Sequence, residues 1–362
     1  MTEPRFDGRS RLASMPFEST AAKAAAIAFV IILAVGAFFV SRWGFANSAS
    51  TRADSSEVAE YLVTLAPSDP QTHYAAAVTL EKNFASADIE RSLVEYETAT
   101  ALSPNNYHLW LALGRARDRS GDAAGGEKAL HRAAELAPSY AQVRWALGNF
   151  LVRNDRPDEG FAEIRRAVAA DPSFARPAVN TARQILDGDV SKILAALGDS
   201  PRIKIWFSTL LAGEKRLDEA INIWRSVPLP DRYQVNKDAS LELTASFIEA
   251  HRYRDAMAIA AEQDDSIGAT GGQITNGGFE QPIKVQNAAW YDWQTSQGTQ
   301  PQIAPTTSKQ KNGANSLVII FPADGRDFRQ FSQIVAVEPG RTYDFEIYYQ
   351  AEIKTNAELR WT

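Results

Sequence analysis

The side chains that most often do chemistry are scattered along this sequence. Its 362 residues include four histidines and no cysteine, and the histidines have no metal-ligand spacing such as HExxH. The carboxylate pairs Asp158-Glu159 and Asp218-Glu219 could act as catalytic acids and bases. Each pair also stands at the predicted start of a helix, where acidic residues interact favourably with the helix dipole. The sequence therefore predicts no catalytic residue, and we expect a protein that binds rather than an enzyme.

Composition excludes further classes of function. Without cysteine the chain can form no disulfide, no thiolate metal site and no cysteine nucleophile. The formal net charge is −6, whereas nucleic-acid-binding proteins present a basic face. We therefore expect no nucleic acid partner.

One uncharged run near the amino terminus is long enough to cross a membrane. Ala24–Val40 has 17 residues without a charge, and with its neighbours it approaches the roughly 20 residues that a bilayer core requires. We predict a cytoplasmic tail over 1–20, a transmembrane helix over 21–42 and a flexible linker over 43–55. Lysine and arginine are more frequent before the run than after it, which places the amino terminus in the cytoplasm.

This orientation predicts a single-pass protein of the inner (cytoplasmic) membrane, with the bulk of the chain periplasmic or extracellular. A buried helix and a cleaved signal peptide are the alternatives. The apolar run is longer than the about 7–15 residues of a signal-peptide core, which favours an uncleaved anchor.

Three residue types recur at one spacing after this segment, where the apolar pattern is helical throughout. Proline, alanine and the dipeptide Leu-Gly all return after 34 residues. The positions are Pro70, Pro104, Pro138 and Pro172; Ala99, Ala133 and Ala167; Leu113-Gly114 and Leu147-Gly148. A period shared by several residue types indicates a repeated structural unit.

This period resembles the tetratricopeptide repeat (TPR), a helix–turn–helix unit. In that frame, Gly114 lets the second helix approach closely, and Gly121 ends the first helix in the left-handed conformation. Asp155 and Asp158 fall where helix caps are expected. The resemblance implies an α-solenoid over 56–264, because no unit can bury its apolar face alone.

Ligands of tetratricopeptide repeats meet fixed positions on the first helix of each unit. Carried onto this chain, the resemblance implies a partner-binding groove. Its residues would be Tyr74, His108, Arg115, Arg119, Gln142, Trp145, Asn149, Arg153, Arg176 and Arg183. Because arginine holds carboxylates through two parallel hydrogen bonds, the expected ligand is an acidic protein segment or a peptide carboxylate. The alternative is that these arginines pair with neighbouring acids on a solvated face.

Strand patterns replace helical ones in the last quarter of the chain. A glycine-rich linker over 265–273 is followed by predicted strands at Asn315–Phe321, Phe331–Val337 and Thr342–Ile353, which carry β-branched and aromatic residues. The region resembles the carbohydrate-binding jelly-roll modules of the galactose-binding-like group. The matching residues are Asn276-Gly277-Gly278-Phe279-Glu280, Trp290, Trp293, Gly313, Ser316-Leu317, Gln333, Val335–Gly340 and Tyr343.

The resemblance implies a β-sandwich over 274–362. Such modules continue with further strands, so we expect this one to be incomplete, with its sheet completed by additional sequence or by another chain. The predicted fold class is multidomain α + β: a transmembrane helix, an α-solenoid and a β-sandwich (jelly roll).

Sugar-binding modules of this group stack aromatic rings on pyranose faces. The glycan-binding candidates here are Trp290, Tyr291, Trp293 and Trp361, and the alternative is that they are core aromatics. The resemblance also implies a structural calcium ion held by Glu280, since carboxylate oxygens suit Ca²⁺. We expect no other cofactor.

The function predicted from these features is that of a non-enzymatic, membrane-anchored periplasmic scaffold. It would bind a protein partner in the groove and a polysaccharide at the β-region, in cell-envelope or exopolysaccharide assembly. One alternative is the accessory portion of a larger carbohydrate-active enzyme whose catalytic domain lies beyond residue 362. Another is a structural assembly factor without glycan contact.

Overall fold

The structure is a computed structural model that describes residues 19–83, 85–234, 237–262, 272–284, 286, 288–322 and 330–354. The chain forms two compact units, Met1–Asp171 and Pro172–Thr362. The helices of the first unit are α1 (Thr20–Ser50), α2 (Ser56–Leu65), α3 (Pro70–Glu81), α4 (Ser86–Leu102), α5 (Tyr107–Ser120), α6 (Ala123–Leu136), α7 (Ala141–Arg153) and α8 (Pro157–Ala170).

The first helix, α1, contains the predicted membrane span and continues past it. Its most apolar 18-residue window has a mean hydropathy of 2.7 and no buried residue, so it is long and apolar enough to cross a membrane. Ala46 packs against Leu62 and Ala66, and Asn47 Nδ2 donates to Asp69 Oδ2 at 2.8 Å.

These contacts correct the predicted linker over 43–55. Residues 43–50 are helical and pack on α2, so only residues 51–55 lie between the two helices. The small polar side chains of this stretch suggested a loop, but alanine favours a helix and fits tightly against a neighbouring one.

The predicted repeat is present as three helical hairpins, α3–α4, α5–α6 and α7–α8, which are the most closely packed helix pairs of the first unit. α4, α6 and α8 end at Leu102, Leu136 and Ala170, each 34 residues after the one before. The 34-residue period of the sequence is therefore the period of the structure.

The Leu-Gly dipeptides mark the points where the two helices of a hairpin approach most closely. A Cβ atom on Gly114 would lie 2.7 Å from Leu130 Cγ. A Cβ atom on Gly148 would lie 2.8 Å from both the Gly160 carbonyl oxygen and Ile164 Cγ1. The leucine of each dipeptide is buried, so one residue fills the core while the next admits the neighbouring backbone.

The turns inside the α5–α6 and α7–α8 hairpins each contain one residue with positive φ. Gly121 has a φ of 88°, as predicted. Asp155 occupies the equivalent position 34 residues later with a φ of 59°, and Arg156, not Asp155, stands at the cap of α8. The predicted capping role of Asp155 is therefore wrong, because its backbone has already turned into the left-handed region.

We expect Asp155→Gly to stabilise the first unit by up to about 1 kcal/mol, since the left-handed conformation disfavours side chains other than glycine. The mirror change, Gly121→Ala, should destabilise the same unit by about 1 kcal/mol. Chemical denaturation of both variants checks the pair. Destabilisation by Asp155→Gly would show that the aspartate side chain stabilises this turn.

The second unit contains shorter helices in a less regular order. They are α9 (Ala175–Ile185), α10 (Val190–Leu197), α11 (Pro201–Gly213), α12 (Leu217–Arg225), α13 (Leu229–Gln234), α14 (Lys237–Glu249) and α15 (Tyr253–Ala261). α11–α12 and α14–α15 form hairpins, in which Ala220 and Ala256 are fully buried.

The described part of the β-region holds two short antiparallel ladders. β1 (Gln294–Thr295) pairs with β4 (Phe331–Ser332), and β2 (Gln302–Thr306) pairs with β3 (Ser316–Ile320). The predicted strand at 315–321 is confirmed by β3. The predicted strand at 331–337 shortens to β4, and the predicted strand at 342–353 belongs to neither ladder. These ladders do not make a jelly-roll sandwich.

Candidate functional site

The carboxylate pairs that resemble catalytic residues are bound to arginines at helix starts. Arg156 directs Nε and Nη2 to the two oxygens of Glu159 at 2.7 and 2.8 Å, and Arg216 holds Glu219 at the same distances. The adjacent guanidinium lowers the pKa of each glutamate below its usual value. Glutamates held ionised in this way are poor proton donors, which favours a structural role for Glu159 and Glu219.

The same arginines also link neighbouring repeats. Arg156 Nη1 donates to Glu127 Oε1 at 2.6 Å, which joins α8 to α6. Arg252, at the equivalent position before α15, donates to Asp218 Oδ1 at 2.5 Å and reaches α12. The sequence contained a signal for this arrangement, because an arginine precedes the acidic pair in both Arg156–Glu159 and Arg216–Glu219.

His73 is buried between two acceptors. Its Nδ1 lies 2.5 Å from Glu95 Oε2, and its Nε2 lies 2.9 Å from the Pro67 carbonyl oxygen. Both ring nitrogens must carry protons to satisfy this geometry, so the imidazolium is the favoured form. The hydrogen bond to Glu95 is the main reason that the pKa of His73 is raised, against the lowering effect of burial.

The raised pKa of His73 predicts that the first unit loses stability as pH increases. The stabilisation from protonated His73 is fully present below about pH 6.5, the ordinary pKa of histidine. It is lost as the pH rises through the higher pKa that His73 has in the folded state. We expect His73→Gln to reduce this dependence. Denaturant unfolding at a series of pH values gives the change of unfolding free energy with pH for the original protein and for His73→Gln. An equal change in the two proteins would contradict a raised pKa for His73.

Seven of the ten predicted groove residues lie on α5 and α7, and five of these line one cleft. The cleft has a volume of about 370 Å³, within the range of small-ligand pockets. Its walls are Arg115, Asp118, Arg119, Leu130, Trp145, Ala146, Asn149 and Arg153. The register of the repeat therefore brings the predicted arginines, tryptophan and asparagine together.

Most of the predicted arginines already have carboxylate partners. In the first unit, Arg119 Nε donates to Glu81 Oε1 at 2.8 Å, and Arg153 pairs with Asp118 across α5 and α7. The arginine side chains are more than half exposed. The alternative that groove arginines pair with neighbouring acids on a solvated face therefore describes Arg119 and Arg153. Such exposed ion pairs contribute only about 0–1 kcal/mol to the free energy of unfolding.

Arg115 differs from the other groove arginines. Within the described residues, its guanidinium donates no hydrogen bond and belongs to no ion pair. The side chain is half-buried on α5, beside the charge of Arg119 and the ring of Tyr74. Burial, and then the repulsion from Arg119, lower the pKa of Arg115. The cleft thus contains a partly desolvated cation that pairs with no carboxylate in the described part of the chain, since Asp118 pairs with Arg153.

The remaining predicted groove residues of the first unit lie outside this cleft. Tyr74 is half-buried, with its ring centroid 6.0 Å from that of Tyr96. His108 is exposed, with its ring centroid 4.0 Å from that of Tyr107. Gln142 is exposed on α7. Asn149, which does line the cleft, donates from Nδ2 to the Trp145 carbonyl oxygen at 2.8 Å, so its amide nitrogen is already engaged.

The two predicted arginines of the second unit also have acidic partners. Arg176 donates to Glu242 at 2.9 Å and lies 4.9 Å from the ring centroid of Trp206. Arg183 donates to Glu214 at 2.5 Å. A smaller cleft of about 180 Å³ surrounds Arg176.

Sequence reasoning missed Trp206, Asn180 and Glu242, which line this smaller cleft. The repeat register is lost after α9 because α10 intervenes before α11. The left-handed residue Lys215 marks the end of α11, and counting backwards from it would place Trp206 in the first helix of a repeat.

Three of the four predicted glycan-binding aromatics contact other apolar side chains. Trp290 and Tyr291 contact a cluster of Met257, Ala260 and Ala336, and Trp293 stacks on Phe331 with ring centroids 4.6 Å apart. These contacts favour the core alternative over sugar stacking. Trp361, the fourth candidate, lies outside the described residues.

The carboxylate of Glu280 is engaged by a nearby turn. Its Oε1 accepts hydrogen bonds from the backbone N–H groups of Ala314 and Asn315 at 2.9 and 3.2 Å. Gly313 has a φ of 76°, and a Cβ atom there would lie 2.1 Å from Glu280 Oε1. Two separated parts of the jelly-roll resemblance therefore meet. Among the described residues, no three His, Asp or Glu side chains gather as a metal site requires, and calcium binding by Glu280 stays a prediction.

The hairpins, their 34-residue period and the close helix approaches define a TPR-like helical solenoid with one apolar amino-terminal helix and a few short carboxyl-terminal strands. No protein-family model and no curated protein matches the sequence.

Comparison with solved structures finds similar chains among TPR proteins. One is YrrB, described as a TPR protein with an unusual peptide-binding site, at 16% identity over 58% of this chain and 93% of its own, with a TM-score of 0.30. Another is MamA, at 12% identity over 55% of this chain and 90% of its own, with a TM-score of 0.32. A third is PilF of Pseudomonas aeruginosa, at 12% identity over 62% of this chain and 89% of its own, with a TM-score of 0.34. Matches at this level carry no argument about function.

Proposed function

We propose that this protein is a non-enzymatic scaffold that binds an acidic segment of a partner protein in the cleft between α5 and α7. The observation that supports this most strongly is Arg115, a half-buried guanidinium without a carboxylate partner among the described residues. An incoming carboxylate would accept two hydrogen bonds from it and compensate its charge.

The rest of the cleft suits a peptide rather than an isolated anion. The half-buried Trp145 supplies a large aromatic face beside the charged groups, and the buried Leu130 and Ala146 lie behind it in the wall of the cleft. Arg119 and Arg153 keep exposed portions in addition to their ion pairs. Tryptophan and arginine are enriched among the residues that dominate binding energy at protein interfaces.

The proposal includes membrane anchoring through the apolar part of α1. The amino terminus would lie in the cytoplasm and the solenoid in the periplasm or outside the cell, as the distribution of basic residues favours. Glycan binding by the β-region, with a role in cell-envelope or exopolysaccharide assembly, rests on sequence resemblance alone. The alternative of an accessory portion of a larger carbohydrate-active enzyme rests on the same resemblance.

A peptide array tests the acidic character of the ligand. Peptides containing Asp or Glu should bind the full chain more tightly than matched peptides in which Asn or Gln replaces each acid. Fluorescence anisotropy of the tightest pairs gives the difference in affinity. Equal affinity for acidic peptides and their amide counterparts would show that Arg115 does not select a carboxylate.

A further inference from the structure

The carboxyl-terminal end of α2 lies beside the point where α1 leaves its uncharged run. Ala46 of α1 packs against Leu62 of α2, and four residues earlier Arg42 Nη2 donates to the Thr64 carbonyl oxygen at 2.8 Å. Earlier positions of α1 thus contact later positions of α2, so the two helices are antiparallel. α2 therefore returns toward the apolar end of α1.

This geometry places the end of α2 at the level of a membrane interface. Arg42 is the first charged residue after the uncharged run, and Trp43 follows it with 51% of its surface exposed. Tryptophan and arginine are typical of the boundary between the bilayer core and water. Because Tyr61 precedes Thr64 by three residues, it lies within about 5 Å of that level along the helix.

Val58, Tyr61 and Leu65 form an apolar strip along α2, with the exposed Glu57 and Thr64 beside it. Tyr61 and Val58 are 62% and 48% exposed, and Leu65 is half-exposed at a spacing that shares their helix face. Glu57 and Glu60 lie on the same short helix, so this segment has no basic charge to attract anionic lipid. An exposed tyrosine with apolar neighbours suits the headgroup layer, where one end of the ring is apolar and the other wet.

We propose that the Tyr61 face of α2 is embedded in the lipid headgroup region, so that α1 and α2 together hold the first repeat against the membrane. This inference rests on the proposed anchor and adds a second lipid contact to it. The packing of Ala46 and the hydrogen bond of Arg42 keep α2 at a fixed height on α1, and the hydrogen bond from Asn47 to Asp69 ties the start of α3 to the same helix. The apolar surface of the anchor thereby continues onto the solenoid.

Site-directed spin labelling of the full chain in nanodiscs tests this surface, since the absence of cysteine allows single labels without other changes. The variants are Tyr61→Cys, Ile32→Cys within the apolar run, and Val94→Cys as the matched control. Val94 is apolar and 60% exposed, on a helix that packs with α3 and α5. The accessibility of each spin label to oxygen, relative to a water-soluble nickel chelate, reports how deeply the label lies in the bilayer. The measurement is made in nanodiscs of phosphatidylcholine with and without phosphatidylglycerol.

We expect the ratio of oxygen accessibility to chelate accessibility at position 61 to be higher than at position 94 and lower than at position 32, in both lipids. If position 32 is at bilayer depth while position 61 matches position 94, the headgroup contact is overturned and the anchor stands. If position 32 is also exposed to the chelate, the anchor itself is wrong. If position 61 contacts lipid only when phosphatidylglycerol is present, the contact depends on anionic lipid, and the proposal that apolar side chains of α2 make it is overturned.

Discussion

Replacing Arg115 by alanine is expected to weaken the binding of an acidic peptide by roughly thirtyfold or more. Truncating one partner of a desolvated, hydrogen-bonded charge pair costs about 2–5 kcal/mol, and each 1.4 kcal/mol is about a factor of ten. Arg115 lacks a carboxylate partner among the described residues, so its removal leaves no acid of the protein unpaired. Isothermal titration of the full chain with the tightest array peptide measures the loss.

Arg132→Ala provides the matched control for this prediction. Arg132 pairs with Glu135 at 2.9 Å on α6 and does not line the cleft, so its loss should leave peptide affinity unchanged. Arg115→Lys should give an intermediate affinity, because lysine keeps the charge and loses the two-pronged geometry. Equal losses in the Arg115 and Arg132 variants would indicate a general effect of net charge and would contradict a specific site.

The second large effect is expected at the closest helix approach. Gly148→Ala should destabilise the first unit by about 1–3 kcal/mol, the usual cost of overpacking a tight core. Its new Cβ atom would lie 2.8 Å from a backbone oxygen of α8 and 2.8 Å from Ile164 Cγ1. The Gly160 oxygen belongs to the backbone, so relieving this contact requires α7 and α8 to separate.

Gly44→Ala is the control within the same unit. A Cβ atom on Gly44 meets nothing within 4 Å, so alanine should stabilise α1 by up to about 1 kcal/mol through its higher helix propensity. Denaturant unfolding monitored by circular dichroism compares the two variants. A neutral Gly148→Ala would show that the hairpin relaxes easily and that the Leu-Gly spacing does not reflect packing.

The 34-residue period could be predicted because it is carried by residues with strong local effects. Proline terminates helices, and glycine allows either close approach or positive φ, so α3–α8 follow directly from the sequence. The turn at Asp155 was predicted incorrectly because an aspartate also caps helices, and its type does not reveal which conformation it takes. In the second unit α10 and α13 interrupt the period, and the register cannot be followed by counting.

The candidate site was predictable in position but not in its pairing. The repeat register brings Arg115, Trp145 and Arg153 to one cleft, because first helices of successive repeats lie side by side. Which arginine remains unpaired depends on acids 35 or more residues away, such as Asp118 beside Arg153. Similarly, the segment over 43–50 resembles a linker locally and becomes helical through contact with α2.

Capture of partners from solubilised membranes tests the central claim most directly. The full chain is compared with a variant carrying Arg115→Ala, Arg119→Ala and Arg153→Ala. A control variant changes three exposed arginines outside the cleft, Arg91, Arg132 and Arg166. We predict that the original and the control retain the same protein partner, identified by mass spectrometry, and that the cleft variant loses it. Retention of that partner by the cleft variant would contradict the proposal that the cleft between α5 and α7 is the binding site.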